Sequence, residues 1–207
     1  MTQQAPTHRR ARPLALLACA LLALCTASCA EFFGGTPGMN PWHAEQLQQA
    51  GQMHSIEDCG RDIEPALIQV RNELINANNF ELRRGEDGIS SQPTGDQTLY
   101  ILNSPTIYFL EDNVDKVRTA FESHLTPLGF TVTVDEQMTD NEGKLTWIVA
   151  RNPAYGISAS AYIRDSKRSS FQYGTKLLSS DGSTDDPQQL ADIPGRRPDW
   201  LIPTPTT

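Results

Sequence analysis

The sequence has few cysteines and no long apolar run. Its four cysteines are Cys19, Cys25, Cys29 and Cys59, and its longest apolar stretch, Leu14 to Leu24, is about 11 residues long. A helix that crosses a bilayer needs roughly 20 apolar residues. The chain also lacks an HExxH motif and paired CxxC motifs, and its four histidines are scattered, so zinc catalysis has no support. We assign no catalytic, cofactor-binding or metal-binding residue and predict that the protein is not an enzyme.

The first 28 residues have the pattern of a bacterial secretion signal that ends at a lipidatable cysteine. Three arginines, an apolar core and a run of small residues follow one another: Arg9, Arg10 and Arg12, then Leu14 to Leu24, then Thr26-Ala27-Ser28. Cys25 follows the bulky Leu24, and Cys19 would leave too short an apolar core. We therefore predict removal of residues 1–28 and lipid attachment at Cys29. If Cys29 is not lipidated, the alternative is a freely secreted domain.

A lipidated Cys29 places the protein at the cell membrane, facing the extracytoplasmic side. Each buried CH₂ of an acyl chain contributes about 0.8 kcal/mol, so two or three chains hold a domain at the membrane surface. Residues 29–40 include Gly34-Gly35, Pro37 and Gly38, a composition typical of a flexible tether.

The chain has an excess of acidic residues. It carries 25 acidic and 17 basic residues, for a formal net charge of -8, and removal of the three signal arginines would lower this charge to about -11. A Lys/Arg-rich stripe is missing from the sequence. We therefore expect no binding to nucleic acids or to anionic lipid head groups.

Cys59 is the only cysteine besides Cys29 in the predicted mature chain, so an internal disulfide is not expected. A lone exported cysteine is a nucleophile, a site of intermolecular pairing or a small buried side chain. We predict burial, because Cys59 precedes a helix and no histidine completes a nucleophile pattern.

Residues 41–178 have the patterns of one α+β domain. A short helix is predicted over 41–52, and a longer one follows from an N-cap at Asp62 to Ala77. Strands are predicted near 80–83, 98–103 and 106–110, with a loop over 85–95. A second main helix begins after Asp112 or Asn113 and ends at Gly129. Alternating apolar residues then predict a meander of about four antiparallel strands.

This order favours a two-layer α+β sandwich, with an antiparallel sheet of about four to six strands and both main helices on one face. Beyond Leu178 the chain is rich in Ser, Asp, Gly and Pro. We predict that residues 179–207 form a disordered Pro-rich tail.

Several candidate sites have simpler structural explanations. Three carboxylates lie within a Gly/Ser-rich loop: Asp181, Asp185 and Asp186. Such a cluster could ligate calcium, but a solvent-exposed acidic loop also explains these residues. Ser158 lies in a partial nucleophile-elbow motif that continues as a strand. Four aromatics on neighbouring strands could line a face for sugars or peptides, although strand propensity also explains them: Trp147, Tyr155, Tyr162 and Tyr173.

Three segments of the chain resemble the LppA-type lipoproteins of mycobacteria and related actinobacteria. They are the run Thr26-Ala27-Ser28-Cys29, the tether, and the tail from Leu190 to Pro203, which contains Trp200. The resemblance implies a cell-envelope lipoprotein of uncharacterised role and supplies no catalytic residues.

We therefore predict a membrane-anchored envelope lipoprotein that acts as a non-enzymatic binding or scaffolding module. Its partner would be an envelope protein or a cell-wall ligand. The alternative is a cell-wall hydrolase that gathers carboxylates such as Glu111, Asp135 or Glu136.

Overall fold

The structure, a computed structural model, describes residues 41–140, 143–192 and 195–201, without the side chains of 41, 136–140 and 191–192. The predicted signal peptide, lipid attachment site Cys29 and tether lie outside the described residues. Within the described part of the chain, no helix is long and apolar enough to cross a membrane.

Helices precede the first strand and return once between strands. The helical segments are α1 (Pro41–Ala50), α2 (Ile56–Asp58), a π-helical turn (Cys59–Ile63), α3 (Glu64–Leu74), α4 (Val114–Leu125) and a 3₁₀ turn (Thr126–Leu128), with two further 3₁₀ turns after the last strand (Pro187–Asp192 and Asp199–Leu201). The predicted N-cap at Asp62 is wrong. Ser55 caps the helix instead, because its side-chain oxygen accepts a hydrogen bond from the Asp58 N–H at 3.0 Å. The π-helical turn then joins α2 to α3 without a break, and the helix ends at Leu74 rather than Ala77.

Helix α4 has the predicted position and buried face. The Asn113 side chain accepts a hydrogen bond from the Lys116 N–H at 3.0 Å, which satisfies a donor in the first turn. Val117, Phe121 and Leu125 are fully buried, as their i, i+4, i+8 spacing predicts. Gly129 ends the helical region at φ 84°, a left-handed conformation that favours glycine.

Eight antiparallel strands form one sheet in the described part of the chain. The strands are β1 (Phe80–Arg84), β2 (Gly88–Thr94), β3 (Gln97–Asn103), β4 (Thr106–Leu110), β5 (Thr131–Asp140), β6 (Gly143–Asn152), β7 (Ile157–Arg164) and β8 (Arg168–Thr175). The order is β1-β4-β8-β7-β6-β5, and β3 pairs with both β2 and β8. The predicted meander is confirmed as β5 to β8.

The sheet is larger than the predicted four to six strands because the region 85–95 is not a loop. Strand β2 runs through it and pairs with β3, with Pro93 opposite Thr98. Proline cannot donate to a strand ladder, so it is tolerated on an edge strand, and β2 has a single strand partner. Its polar and proline-containing sequence concealed it.

The helices cover one face of the sheet. Apolar residues of α3 and α4 form one buried cluster with residues of the central strands, including Ile107, Ala161 and Phe171. Phe121 of α4 meets Phe171 of β8 edge-on at 5.9 Å between ring centroids. The α+β arrangement is therefore as predicted, with the core between the helices and the sheet.

The region after β8 also packs on the domain. Glu57 accepts hydrogen bonds from the Ser180 hydroxyl and from the Asp181 N–H. Further along, Arg196 and Leu201 are 3% and 2% exposed. Residues 179–192 and 195–201 are therefore part of the folded domain, which the predicted boundary at 178 left out. The composition of this region did not reveal that its side chains have buried partners. Residues 202–207 of the predicted tail lie outside the described residues.

Candidate binding face

The sheet has a second face, on the side away from the helices. Every second residue of the central strands points to it, and one row crosses five paired strands: Tyr108, Ser170, Tyr162, Trp147 and Asp135. We call this surface the open face. Among the side chains that the structure describes, its residues are exposed or half-buried, apart from Val149, whereas the alternate residues of β7 and β8 are all buried.

Two aromatic rings pack side by side on the open face. Trp147 and Tyr162 are direct cross-strand partners, and their rings stack at 5.4 Å with 10° between the planes. The indole N–H of Trp147 is buried without a hydrogen-bond partner among the described residues.

The other two predicted aromatics lie elsewhere. Tyr173 is buried in the core, where its hydroxyl donates to Glu64 at 3.0 Å. Tyr155 precedes β7 and stacks on His54 at 4.1 Å. The four aromatics considered as a binding face therefore do not share one surface, because Tyr173 alternates into the core and Tyr155 lies outside the strands.

A cavity of about 470 Å³ lies on the open face around Tyr108 and Tyr162, and we call it the tyrosine cavity. The guanidinium of Arg84 lies 5.6 Å from the centroid of the Tyr108 ring, and that of Arg168 lies 5.3 Å from it. These distances are typical of cation–π contacts. Arg168 also forms an ion pair with Glu81 at 3.1 Å.

A second cavity of about 490 Å³ lies further along β7 and β8, and we call it the serine cavity. Its lining includes Ser158, Ser160, Arg151 and Lys176. Gln172 lines both cavities, so the two are neighbours on the same face. The side-chain amide oxygen of Gln172 accepts a hydrogen bond from the Thr106 hydroxyl at 2.6 Å.

The two cavities gather positive charge. Five cationic side chains line them: Arg84, Arg151, Arg164, Arg168 and Lys176. Among the residues that the structure describes, no aspartate or glutamate lines either cavity. Basic side chains therefore gather on one surface although the sequence has no Lys/Arg-rich stripe. A Lys/Arg stripe is missing from the sequence because these residues come from four different strands and one loop.

A family model for a domain of unknown function, DUF4853, matches residues 52–186. The chain belongs to the DUF4853 family. The matched region contains every strand that the structure describes and helices α2 to α4. It therefore includes the whole open face, whereas Arg196 and the rest of the C-terminal segment lie beyond it.

The chain is similar to a solved member of the DUF4853 family, the crystal structure of a protein from Actinomyces odontolyticus ATCC 17982 at 2.65 Å resolution. The TM-score is 0.49 and the sequence identity is 16%, over 67% of this chain and 77% of that one. No curated protein matches the chain.

The carboxylates considered for hydrolysis do not form a pair where the structure describes them. Glu111 follows β4, and Asp135 lies on β5, which is four strands away from β4 in the sheet. At a strand spacing of about 4.8 Å, Asp135 is about 19 Å from Tyr108, the β4 residue in the same row. Glycosidase carboxylates stand about 5 to 9.5 Å apart, so Glu111 and Asp135 do not meet this requirement. The side chain of Glu136 lies outside the described residues.

Glu111 has a structural role at the start of α4. Its carboxylate accepts hydrogen bonds from the N–H groups of Asp112 and Asn113, at 3.2 and 3.1 Å, and pairs with Lys116. Burial raises the pKa of the Glu111 carboxyl, but these hydrogen bonds outweigh it, so the pKa lies below its usual value. A lowered pKa does not suit a general acid.

The acidic loop after β8 is organised by hydrogen bonds to the protein. Asp181 accepts from the Ser55 hydroxyl at 3.1 Å and from the Ser183 N–H at 2.8 Å. The hydrogen bonds from Ser183 hold the pKa of Asp181 below its usual value. Within the described residues, no group of three or more His, Cys, Asp or Glu side chains is placed to hold a metal ion.

Cys59 is fully buried, as predicted. Burial raises the pKa of its thiol far above the usual value, and the nearby carboxylate of Glu64 adds to this effect. Because the thiolate is the nucleophile, this environment does not suit a reactive cysteine.

Sequence reasoning placed Trp147 and Tyr162 on a sheet but missed Tyr108, Arg84 and Arg168. The alternation of Tyr108 with the buried Ile107 and Phe109 is a usable local signal. The signal does not show that β4 pairs with β8, which is what brings Arg168 to Tyr108.

Proposed function

We propose that this chain is a lipid-anchored protein of the cell envelope, and that its domain binds an envelope component through the open face without catalysing a reaction. Cys29 is the proposed anchor. The arginines, apolar core and small residues before it support this role, as does the resemblance of the signal and the tail to LppA-type lipoproteins. The domain would then face the extracytoplasmic side of the membrane.

The observation that carries the binding role is the pair of neighbouring cavities on the open face. Together they bring cationic, aromatic and hydroxyl side chains to one surface. Ligand sites combine a concave shape with a few convergent polar groups, and the open face meets both conditions. These groups are suited to recognising a ligand, and among the residues that the structure describes they include no close pair of carboxylates, so binding fits better than hydrolysis.

The anchor is tested by the intact mass of protein extracted from membranes, beside a Cys29→Ala variant. We expect a mature chain that begins at Cys29 and carries added acyl mass, and a variant that moves to the soluble fraction. An unmodified mass with cleavage elsewhere would contradict the anchor and leave a freely secreted domain.

The binding role is tested by co-sedimentation of the Cys29→Ala chain, which lacks the proposed anchor, with isolated cell envelopes from the producing organism. The charge substitutions are added to this chain. Ser158→Glu places a negative charge in the serine cavity, and Thr119→Glu places the same charge on the exposed side of α4. We expect Ser158→Glu to reduce sedimentation and Thr119→Glu to leave it unchanged. Equal sedimentation of both variants and the parent protein would exclude the open face as the binding surface.

A further inference from the structure

The charge of the open face is opposite to that of the whole chain. The chain has a formal net charge of -8, yet five cations and, within the described residues, no carboxylate line the two cavities. We infer that the open face binds an anionic polysaccharide, a chain of sugar rings that bears carboxylate or phosphate groups. This inference rests on the proposed function, because it names the ligand of the same face.

Three of the cations on the open face are fully available to an anion. Arg84, Arg151 and Lys176 are exposed, and none has an ion-pair partner among the residues that the structure describes. Arg168 is half exposed beside Glu81. Arg84 and Arg168 both lie against the ring of Tyr108, which limits their motion and reduces the entropy that a bound anion must remove.

The spacing of the cations requires an extended ligand. Arg168 begins β8, and Lys176 follows its last residue. Eight residues of extended strand span about 26 Å at about 3.3 Å per residue. A single phosphate or carboxylate group cannot contact both ends, whereas a linear polymer with several anionic groups can.

The surface between the two charged ends suits sugar rings. The hydroxyls of Ser158, Ser160 and Ser170 and the amide nitrogen of Gln172 have no hydrogen-bond partners among the described residues. They can pair with sugar hydroxyls. The rings of Tyr108 and Tyr162 line the same surface and offer apolar faces to the C–H groups of a sugar.

A peptide fits this surface less well than a polysaccharide. Peptides commonly bind to sheets by adding a strand at an edge, but β6, β7 and β8 have strand partners on both sides, so their backbone groups are already paired. A single-stranded oligonucleotide is repelled at long range by the acidic chain just as a charged polysaccharide is, so the experiment below compares the two at matched charge.

The inference is tested by titrating the mature chain, extracted in detergent, with oligogalacturonates and following the binding heat. We expect an octamer to bind about tenfold or more tightly than a dimer, because the longer chain contacts both ends of the face at once. Its neutral methyl ester should bind much more weakly, and added salt should weaken binding of the charged octamer. A phosphate-bearing mannan oligosaccharide distinguishes phosphate from carboxylate as the preferred group.

Matched variants locate the binding site. Arg84→Gln and Lys176→Gln remove one charge at each end of the open face, and Arg118→Gln removes one charge from α4 in the opposite layer. We expect each of the first two to weaken octamer binding about two- to fivefold, the order of one exposed charged contact. The Arg118→Gln variant should bind like the parent protein.

Each contrary outcome has a separate meaning. If the octamer and its methyl ester bound equally well, the requirement for an anionic ligand would be overturned. If polyglutamate or a single-stranded oligonucleotide of matched charge bound as well as the octamer, the requirement for a polysaccharide would be overturned. Failure of both charged glycans would also overturn it. If Ser158→Glu still reduced envelope sedimentation in that case, the proposed function would stand and only the polysaccharide would be rejected. If sedimentation did not depend on Ser158 either, both proposals would fall.

Discussion

The carboxylate of Glu64 in α3 accepts two hydrogen bonds from the guanidinium of Arg196, which lies 132 residues later in the chain. The two side chains are 0% and 3% exposed. The Tyr173 hydroxyl donates to the same carboxylate, and Arg71 donates to the backbone carbonyl of Arg196 at 2.7 Å. This buried cluster connects helix α3, strand β8 and the C-terminal segment.

Arg196→Met should destabilise the domain strongly. The substitution leaves the buried Glu64 carboxylate without its cation, and breaking a buried pair in this way costs about 3 to 5 kcal/mol. Urea unfolding measures the loss. Arg118→Met, which disturbs only exposed ion pairs of α4, is the control and should cost about 0 to 1 kcal/mol. Similar losses in the two variants would contradict the importance of the buried pair.

The double variant Glu64→Leu with Arg196→Met should be more stable than Arg196→Met alone, because neither charge is then left buried. The same urea experiment measures the difference. A double variant that is less stable than the single one would mean that Glu64 contributes mainly through Tyr173.

Asp87→Asn should produce a loss of stability that depends on pH. Burial raises the pKa of Asp87, but hydrogen bonds from Arg197 outweigh it, so the net pKa in the folded state is lowered. A lowered pKa stabilises the fold above the unfolded value of about 3.9, and this contribution is lost as the pH falls through the folded pKa. We expect the variant to be less stable than the parent at pH 6 to 7, with a difference that shrinks below about pH 4.

Urea unfolding across this pH range measures the effect. The exposed neighbour Glu86 has no ion-pair partner within the described residues, so Glu86→Gln is the matched control and should show no such trend. A difference between Asp87→Asn and the parent that stays constant with pH would exclude the charged hydrogen bonds as its source.

Cys59 should not react with a thiol reagent in the native protein at pH 8. The side chain is fully buried and its pKa is raised, so both access and thiolate population are low. Denaturation should release one reactive thiol, and the Cys59→Ala variant should release none. Rapid labelling of the native parent protein that persists in Cys59→Ala would instead identify an unlipidated Cys29.

Local sequence patterns determined the elements with regular periodicity. Helix α4 and the meander β5 to β8 lie where the apolar spacing predicted them, because each buries one face and needs few distant residues to define its type. The polar strand β2 was missed, since Pro93, Gly88 and the glycines on either side conceal a strand that forms only by pairing with β3.

The sequence by itself determined the acidic charge, the α+β class and the pattern that leads to Cys29. These features follow from composition and from residues close together in the chain. Only the tertiary structure decided that Arg84 and Arg168 lie against Tyr108, and that Arg196 pairs with Glu64. The physical reason is the same in both cases: strand register and the burial of distant side chains bring these residues together, and neither is encoded within a short segment.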